Sequence, residues 1–81
     1  MESVKSVRYV SGYKLEIVFN DGLTAVVDFE RELYGPLFGA LKNVDLFRKA
    51  IANPDTHTVE WPSGIDLAPE YLYSLARKQM A

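Results

Sequence analysis

Tyr13-Lys14-Leu15-Glu16-Ile17-Val18-Phe19, then Asn20-Asp21-Gly22, then Leu23-Thr24-Ala25-Val26-Val27-Asp28-Phe29: this stretch decides the fold. Tyr13, Leu15, Ile17 and Phe19 alternate with Lys14, Glu16 and Val18, the period of a strand with one buried face. Asn-Asp-Gly is a hairpin corner. Its register follows from the partners each loop length creates. With all three residues in the loop, Phe19 faces Leu23, Ile17 faces Ala25, Leu15 faces Val27 and Tyr13 faces Phe29. Lys14 then opposes Asp28 and Glu16 opposes Val26 on the other face. A two-residue loop would set Leu15 against Asp28, and a slip of one residue moves a whole side-chain set to the wrong face. The three-residue loop is therefore expected, with Gly22 in the left-handed position.

Working outward toward the N-terminus, Val4 to Val10 reads as a strand rich in Val and Tyr. Ser11-Gly12 marks a turn. A loop of Val10-Ser11-Gly12 would place Tyr9 opposite Tyr13 and Val7 opposite Leu15. It would also oppose Arg8 and Lys14, a repulsion that diagonal contact with Glu16 offsets. Toward the C-terminus the period of two is lost over residues 30–42. Glu30 to Tyr34 suits a helical turn that Gly35-Pro36 breaks, and Leu37, Phe38 and Leu41 are apolar enough to lie on the core. Asn43 is a good N-cap with Asp45 behind it. Phe47 and Ile51, four apart, predict one face of a short helix ended by Asn53-Pro54. Asp45 and Lys49 are spaced to pair on its solvent side. His57 to Trp61 reads as a strand, Pro62-Ser63-Gly64 as a turn and Ile65 to Leu67 as a short returning strand. Pro69 opens a last helix where its missing N–H is harmless. Leu72, Leu75 and Ala76 form that helix's buried stripe, with Tyr71 and Tyr73 beside it. The result is a single α+β domain over residues 1–81: an antiparallel sheet of hairpins in the order β-β-β-α-β-β-α, with two short helices packed on it.

Composition narrows the function. The 81 residues contain no cysteine, which excludes disulfides and thiolate metal sites. Eleven acids and nine bases give a net charge of −2 with no basic cluster beyond Arg77-Lys78, so no counterion-releasing face for direct nucleic-acid binding is expected. No apolar run approaches the roughly 20 residues of a membrane span. The start, Met1-Glu2-Ser3-Val4-Lys5, lacks a signal-peptide core, so a cytoplasmic location is the default expectation.

Few residues offer chemistry. His57 is the sole imidazole, a general-base candidate, but it sits beside Asp55 and Thr56 at a strand start, where a surface histidine is the ordinary reading. There is no Gly-x-Ser-x-Gly elbow, and Ser63 is accounted for by its turn. The glycines are dispersed rather than gathered into a phosphate loop. Asp21, Asp28 and Asp66 could hold a hard cation, but none lies in a calcium-loop pattern. Asp28 is explained by Lys14 across the hairpin, and Asp66 by backbone N–H bonds from the adjacent turn or helix start. No catalytic, cofactor-binding or metal residue is assigned, and the chain is expected not to be an enzyme. Trp61 has two readings. It is either core beneath the Pro62 turn, which is favoured, or part of an exposed patch of Trp61, Pro62 and Tyr73 for a protein partner.

The residues Tyr13-Lys14-Leu15-Glu16, Phe19-Asn20-Asp21-Gly22, Val27-Asp28, Leu46-Phe47, Trp61-Pro62-Ser63-Gly64-Ile65-Asp66-Leu67, Pro69-Glu70 and Leu72-Tyr73 together resemble a bacterial family, the domain of unknown function numbered 2442. Trp-Pro-x-Gly-x-Asp is the most specific part. Asn20, Asp21, Gly22, Gly64 and Asp66 would then be structural motif positions. The resemblance implies no activity or catalytic residues. It implies a small bacterial domain, at times followed by a helix-turn-helix, and often encoded beside another small family numbered 4160 in an arrangement like a toxin–antitoxin pair. The expectation is a protein-interaction module, partnered by another small protein or by itself. The alternatives are a transcription-associated adaptor touching DNA only through a partner or dimer, and a small-ligand binder or enzyme in which His57, Asp66 and Trp61 converge.

Overall fold

The computed structural model describes residues 2–81. Strands β1 (Val4–Ser11), β2 (Lys14–Phe19) and β3 (Thr24–Asp28) form an antiparallel sheet in that order. Two one-turn helices, α1 (Gly35–Phe38) and α2 (Val44–Phe47), flank a 3₁₀ turn at Gly39–Lys42. Strands β4 (Ile51–Asn53) and β5 (Thr58–Glu60) make a second antiparallel pair, and helix α3 (Pro69–Met80) closes the chain. The α+β class and the order of strands and helices are those expected.

The Asn-Asp-Gly hairpin has the register argued from its side chains. Leu15 faces Val27, Ile17 faces Ala25 and Lys14 faces Asp28. Phe19 N–H donates to the Leu23 carbonyl at 2.8 Å, and Gly22 takes φ +92°. Leu15, Ile17, Phe19, Val27 and Phe29 are fully buried. Each such side chain contributes on the order of 1.5–3 kcal/mol.

The first hairpin differs from expectation by two residues. Tyr9 pairs with Leu15, Val7 with Ile17 and Arg8 with Glu16. The loop is Gly12-Tyr13, with an irregularity between Tyr9 and Ser11 that leaves Val10 unpaired. Gly12, at φ +51°, supplies the backbone hand that a two-residue turn needs at its first position. The charges favour this register. Arg8 Nε meets Glu16 Oε1 at 3.2 Å instead of facing Lys14.

Residues 30–67 depart further. Gly35-Pro36 opens α1 rather than breaking a helix, and Leu37 points to water while Leu33 and Leu41 are buried. Asn43 caps α2 as expected, its Oδ1 accepting from Asp45 N–H at 3.0 Å. The helix stops at Phe47, however, and Ile51 is 51% exposed on β4. Extended pairing of Ile51–Asn53 with Thr58–Glu60 replaces the helical turns, so Asp45 and Lys49 are not on one continuous helix. Among the described residues no ion pair joins them, nor Lys14 to Asp28; the single pair is Arg8–Glu16. Ile65–Leu67 does return antiparallel beside β5. Trp61 N–H donates to Ile65 O at 2.8 Å, the Thr58 hydroxyl donates to Leu67 O, and one ladder bridge links Glu60 and Asp66.

Helix α3 buries Leu72, Leu75 and Ala76 as expected. Its C-terminal turn also covers a sheet edge. Bonds from Phe19 N–H to Leu23 O and from Phe29 N–H to Tyr13 O turn the odd-numbered residues of β3 toward β2. Thr24, Val26 and Asp28 therefore face outward. Gln79 meets Asp28 there with both ends of its amide: Asp28 N–H donates to Gln79 Oε1, and Gln79 Nε2 donates to Asp28 O, each at 2.8 Å. A side chain thus stands where a further strand would pair.

Candidate functional site

Residues 29–38 leave β3, wrap past the start of α3 and meet the Asp66–Ala68 segment. Between them lies a groove of about 450 Å³. Phe29 and Leu33 form its buried floor, while Phe38 and Leu67 are half-buried in its walls. Tyr34 and Tyr71 stand at its mouth, 73% and 40% exposed, and Leu37, next in the chain to Phe38, is 58% exposed. Local chemistry explains the exposure. Gly35-Pro36 starts a helix of one turn, too short to turn every apolar side chain inward. Leu33 and Leu41 occupy the core, which leaves Tyr34 and Leu37 facing out.

Two carboxylates edge the groove, Glu32 and Asp66. The Tyr71 hydroxyl donates to Glu32 Oε1 at 2.6 Å. Partial burial, reinforced by that hydrogen bond and the Glu32 charge, pushes the Tyr71 hydroxyl far above the ordinary tyrosine range. It stays a donor at physiological pH, so it fixes the Glu32 carboxylate against the aromatic wall.

The residues singled out from sequence are dispersed. Trp61 is 1% exposed and donates from Nε1 to the Phe47 carbonyl at 2.9 Å, in agreement with its core reading. Pro62 is exposed beside a small depression with Leu46 and Lys49. Tyr73 instead packs edge-on to Phe19, ring centres 5.0 Å apart, and donates to Asp21 Oδ2. The three do not form one exposed patch, because Trp61 lies inside. Asn20 and Asp21 serve the corner: Asn20 Oδ1 accepts from Ser3 N–H at 3.0 Å and Asp21 Oδ1 from Leu23 N–H at 2.9 Å. Gly64, with φ +91°, closes the Pro62-Ser63-Gly64 turn by donating from its N–H to Trp61 O. Asp66 departs from expectation. Its carboxylate accepts no bond from the turn or the helix start. The helix begins at Pro69, which has no N–H to give, and the bridge to Glu60 leaves the carboxylate exposed.

His57 is exposed at the tip between β4 and β5, at φ +60°, and its carbonyl accepts from Val4 N–H at 2.8 Å. The depression it lines, with Thr56, Pro69 and Glu70, is separate from the groove that Asp66 lines. His57, Asp66 and Trp61 therefore share no pocket. Among the described residues no three His, Asp or Glu side chains are grouped to hold a metal ion, and no helix is long and apolar enough to cross a membrane. Sequence reasoning missed the groove. The available signal was the apolar surplus of Tyr34, Leu37 and Phe38 in a segment with no strand or helix period.

The chain is thus a small α+β domain carrying an aromatic, acid-edged groove. It belongs to the DUF2442 family, proteins of unknown function, whose sequence pattern matches residues 4–78. No curated protein matches it. Among solved structures it is similar to a crystal structure from Nitrosomonas europaea ATCC 19718, described as a "putative DNA binding protein", with a TM-score of 0.84 at 18% identity. That similarity covers 99% of this chain and 52% of the other, so the chain spans about half that protein's length. At this identity the likeness is one of fold.

Proposed function

We propose that this protein is a non-enzymatic interaction module whose groove docks a segment of another small protein. The observation that carries the reading is the exposure of Tyr34 at the mouth of a walled apolar groove, with exposed Leu37 next in the chain to the wall residue Phe38; water contact is costly there and a partner side chain would relieve it. The separation of His57 from Asp66 supports the non-enzymatic part. In the antitoxin-like form of this reading, the partner is the product of the neighbouring gene. Co-expression of the two, followed by gel filtration of the wild type and of the Tyr34→Ser/Leu37→Ser double variant, tests it. Both side chains face water, so the variant should fold with an unchanged denaturation midpoint and lose the stoichiometric complex. A complex that survives the double variant would sink the groove as the docking site.

A second reading is that of an adaptor touching DNA only through its partner. The description of the Nitrosomonas europaea protein favours it. Gel-shift assays on the gene's own upstream region should show no shift with this chain alone and a shift once the partner is added. No shift in either case removes the reading.

A further inference from the structure

We infer that the segment docked in this groove carries a lysine or arginine directly beside its apolar anchor. This rests on the docking reading above and deepens it by the charge the site lacks. Two carboxylates, Glu32 and Asp66, edge the groove, and no Lys, Arg or His lines it. The nearest base in sequence, Arg31, lines an adjoining depression that Glu32 also borders, together with Asp28, Glu30 and Gln79, yet it forms no ion pair with Glu32.

Among the described residues neither acid forms an ion pair. Glu32 receives only the Tyr71 hydroxyl on Oε1, and the Asp66 carboxylate has no partner among the described residues. Glu32 is half-buried against the ring it holds. An anionic segment would be repelled by both acids. A wholly apolar one would strip water from them and return nothing. A cation on a flexible stem can lay its methylenes on Phe38 and Leu67 and its charge between the carboxylates. The exposed faces of Tyr34 and Tyr71 attract the same charge.

The test is selection of short random peptides displayed on phage against the full chain, followed by titration of the best binder. Peptides with Lys or Arg next to an aromatic or branched apolar residue should be enriched. Replacing that cation by Gln should weaken binding roughly two- to fivefold for each carboxylate it meets. High salt should narrow the difference. Glu32→Gln keeps an acceptor for Tyr71 while removing the charge, and together with Asp66→Asn it should abolish the preference for the cation. Binders that are lost in Tyr34→Ser but show no cation enrichment would overturn this inference and leave the docking reading standing. No binders at all, or binders indifferent to Tyr34→Ser, would overturn both.

Discussion

Residues 4–29 and residues 30–67 contribute to the same core, but different forces hold them. The first region is a sheet whose alternating side chains name their own partners: the buried Leu15 and Ile17 of β2 meet the buried Val27 and Ala25 of β3. The second has helices of four residues and strands of three, none long enough to be stable alone. It is held by a few large side chains that reach across to the sheet. The consequence is functional. A segment organised from outside has no period forcing each apolar residue inward, and that is where Tyr34 and Leu37 remain on the surface.

Phe47 is the strongest of those anchors. Its ring lies 5.6 Å from Tyr13, 5.8 Å from Phe29, 5.9 Å from Trp61 and 6.3 Å from Tyr9, so it joins both regions. Phe47→Ala should cost about 3–5 kcal/mol. That is a large part of the roughly 5–15 kcal/mol that holds such a domain together. Urea denaturation followed by circular dichroism should show the midpoint collapse. A loss under about 1 kcal/mol would mean the second region is only loosely attached.

Trp61→Phe breaks the same contact more gently. The ring is largely kept, but Nε1–H no longer reaches the Phe47 carbonyl. The Phe47 carbonyl keeps only the longer bond from Ala50 N–H at 3.3 Å, and the smaller ring leaves a gap in the core, together about 1–3 kcal/mol. Gly22→Ala probes the first region. A Cβ there meets nothing within 4 Å, so the cost is backbone strain alone at φ +92°. That strain is about 1–2 kcal/mol. The ordering Phe47→Ala, then Trp61→Phe, then Gly22→Ala states the comparison in one denaturation series. Gly22→Ala proving the costliest would reverse it.

This division also sets how much was legible in the sequence. The Asn-Asp-Gly corner could be read because loop length, apolar pairing and glycine geometry agreed on one register. The first hairpin could not, because the turn falls at Gly12-Tyr13 and Val10 is left unpaired beside it, which together move the register by two residues; the charge match of Arg8 with Glu16 favours the true alignment. Phe47 and Ile51 have helical spacing, yet Ile51 belongs to β4, where its partner Glu60 lies nine positions away. Nothing local encodes that pairing. Asp66 illustrates the same limit at the site. Its carboxylate is exposed at the groove, and its backbone bridges Glu60, six positions back, rather than a neighbour in sequence.

Helix α3 touches both regions through two tyrosines that flank the buried Leu72. Tyr71 reaches Glu32 in the second region, and Tyr73 reaches Asp21 in the corner of the first. The Tyr73 hydroxyl, more than any other group, holds the Asp21 carboxylate below its ordinary value of 3.8. The Asp21 carboxylate in turn raises Tyr73 above 10.0. A depressed carboxylate stabilises the fold above 3.8, and that contribution fades as pH falls through the folded value. A raised hydroxyl stabilises it below 10.0, and that contribution fades as pH rises through the folded value. The tie should therefore show as a plateau between those limits, small because both groups lie in water. The difference in urea midpoint between wild type and Asp21→Asn should be constant near neutrality and shrink in acid. The difference for Tyr73→Phe should shrink at both ends. Profiles parallel to wild type throughout would mean that this hydrogen bond is not kept in solution. The Gln79–Asp28 pairing would then be left to hold the end of α3 to the sheet.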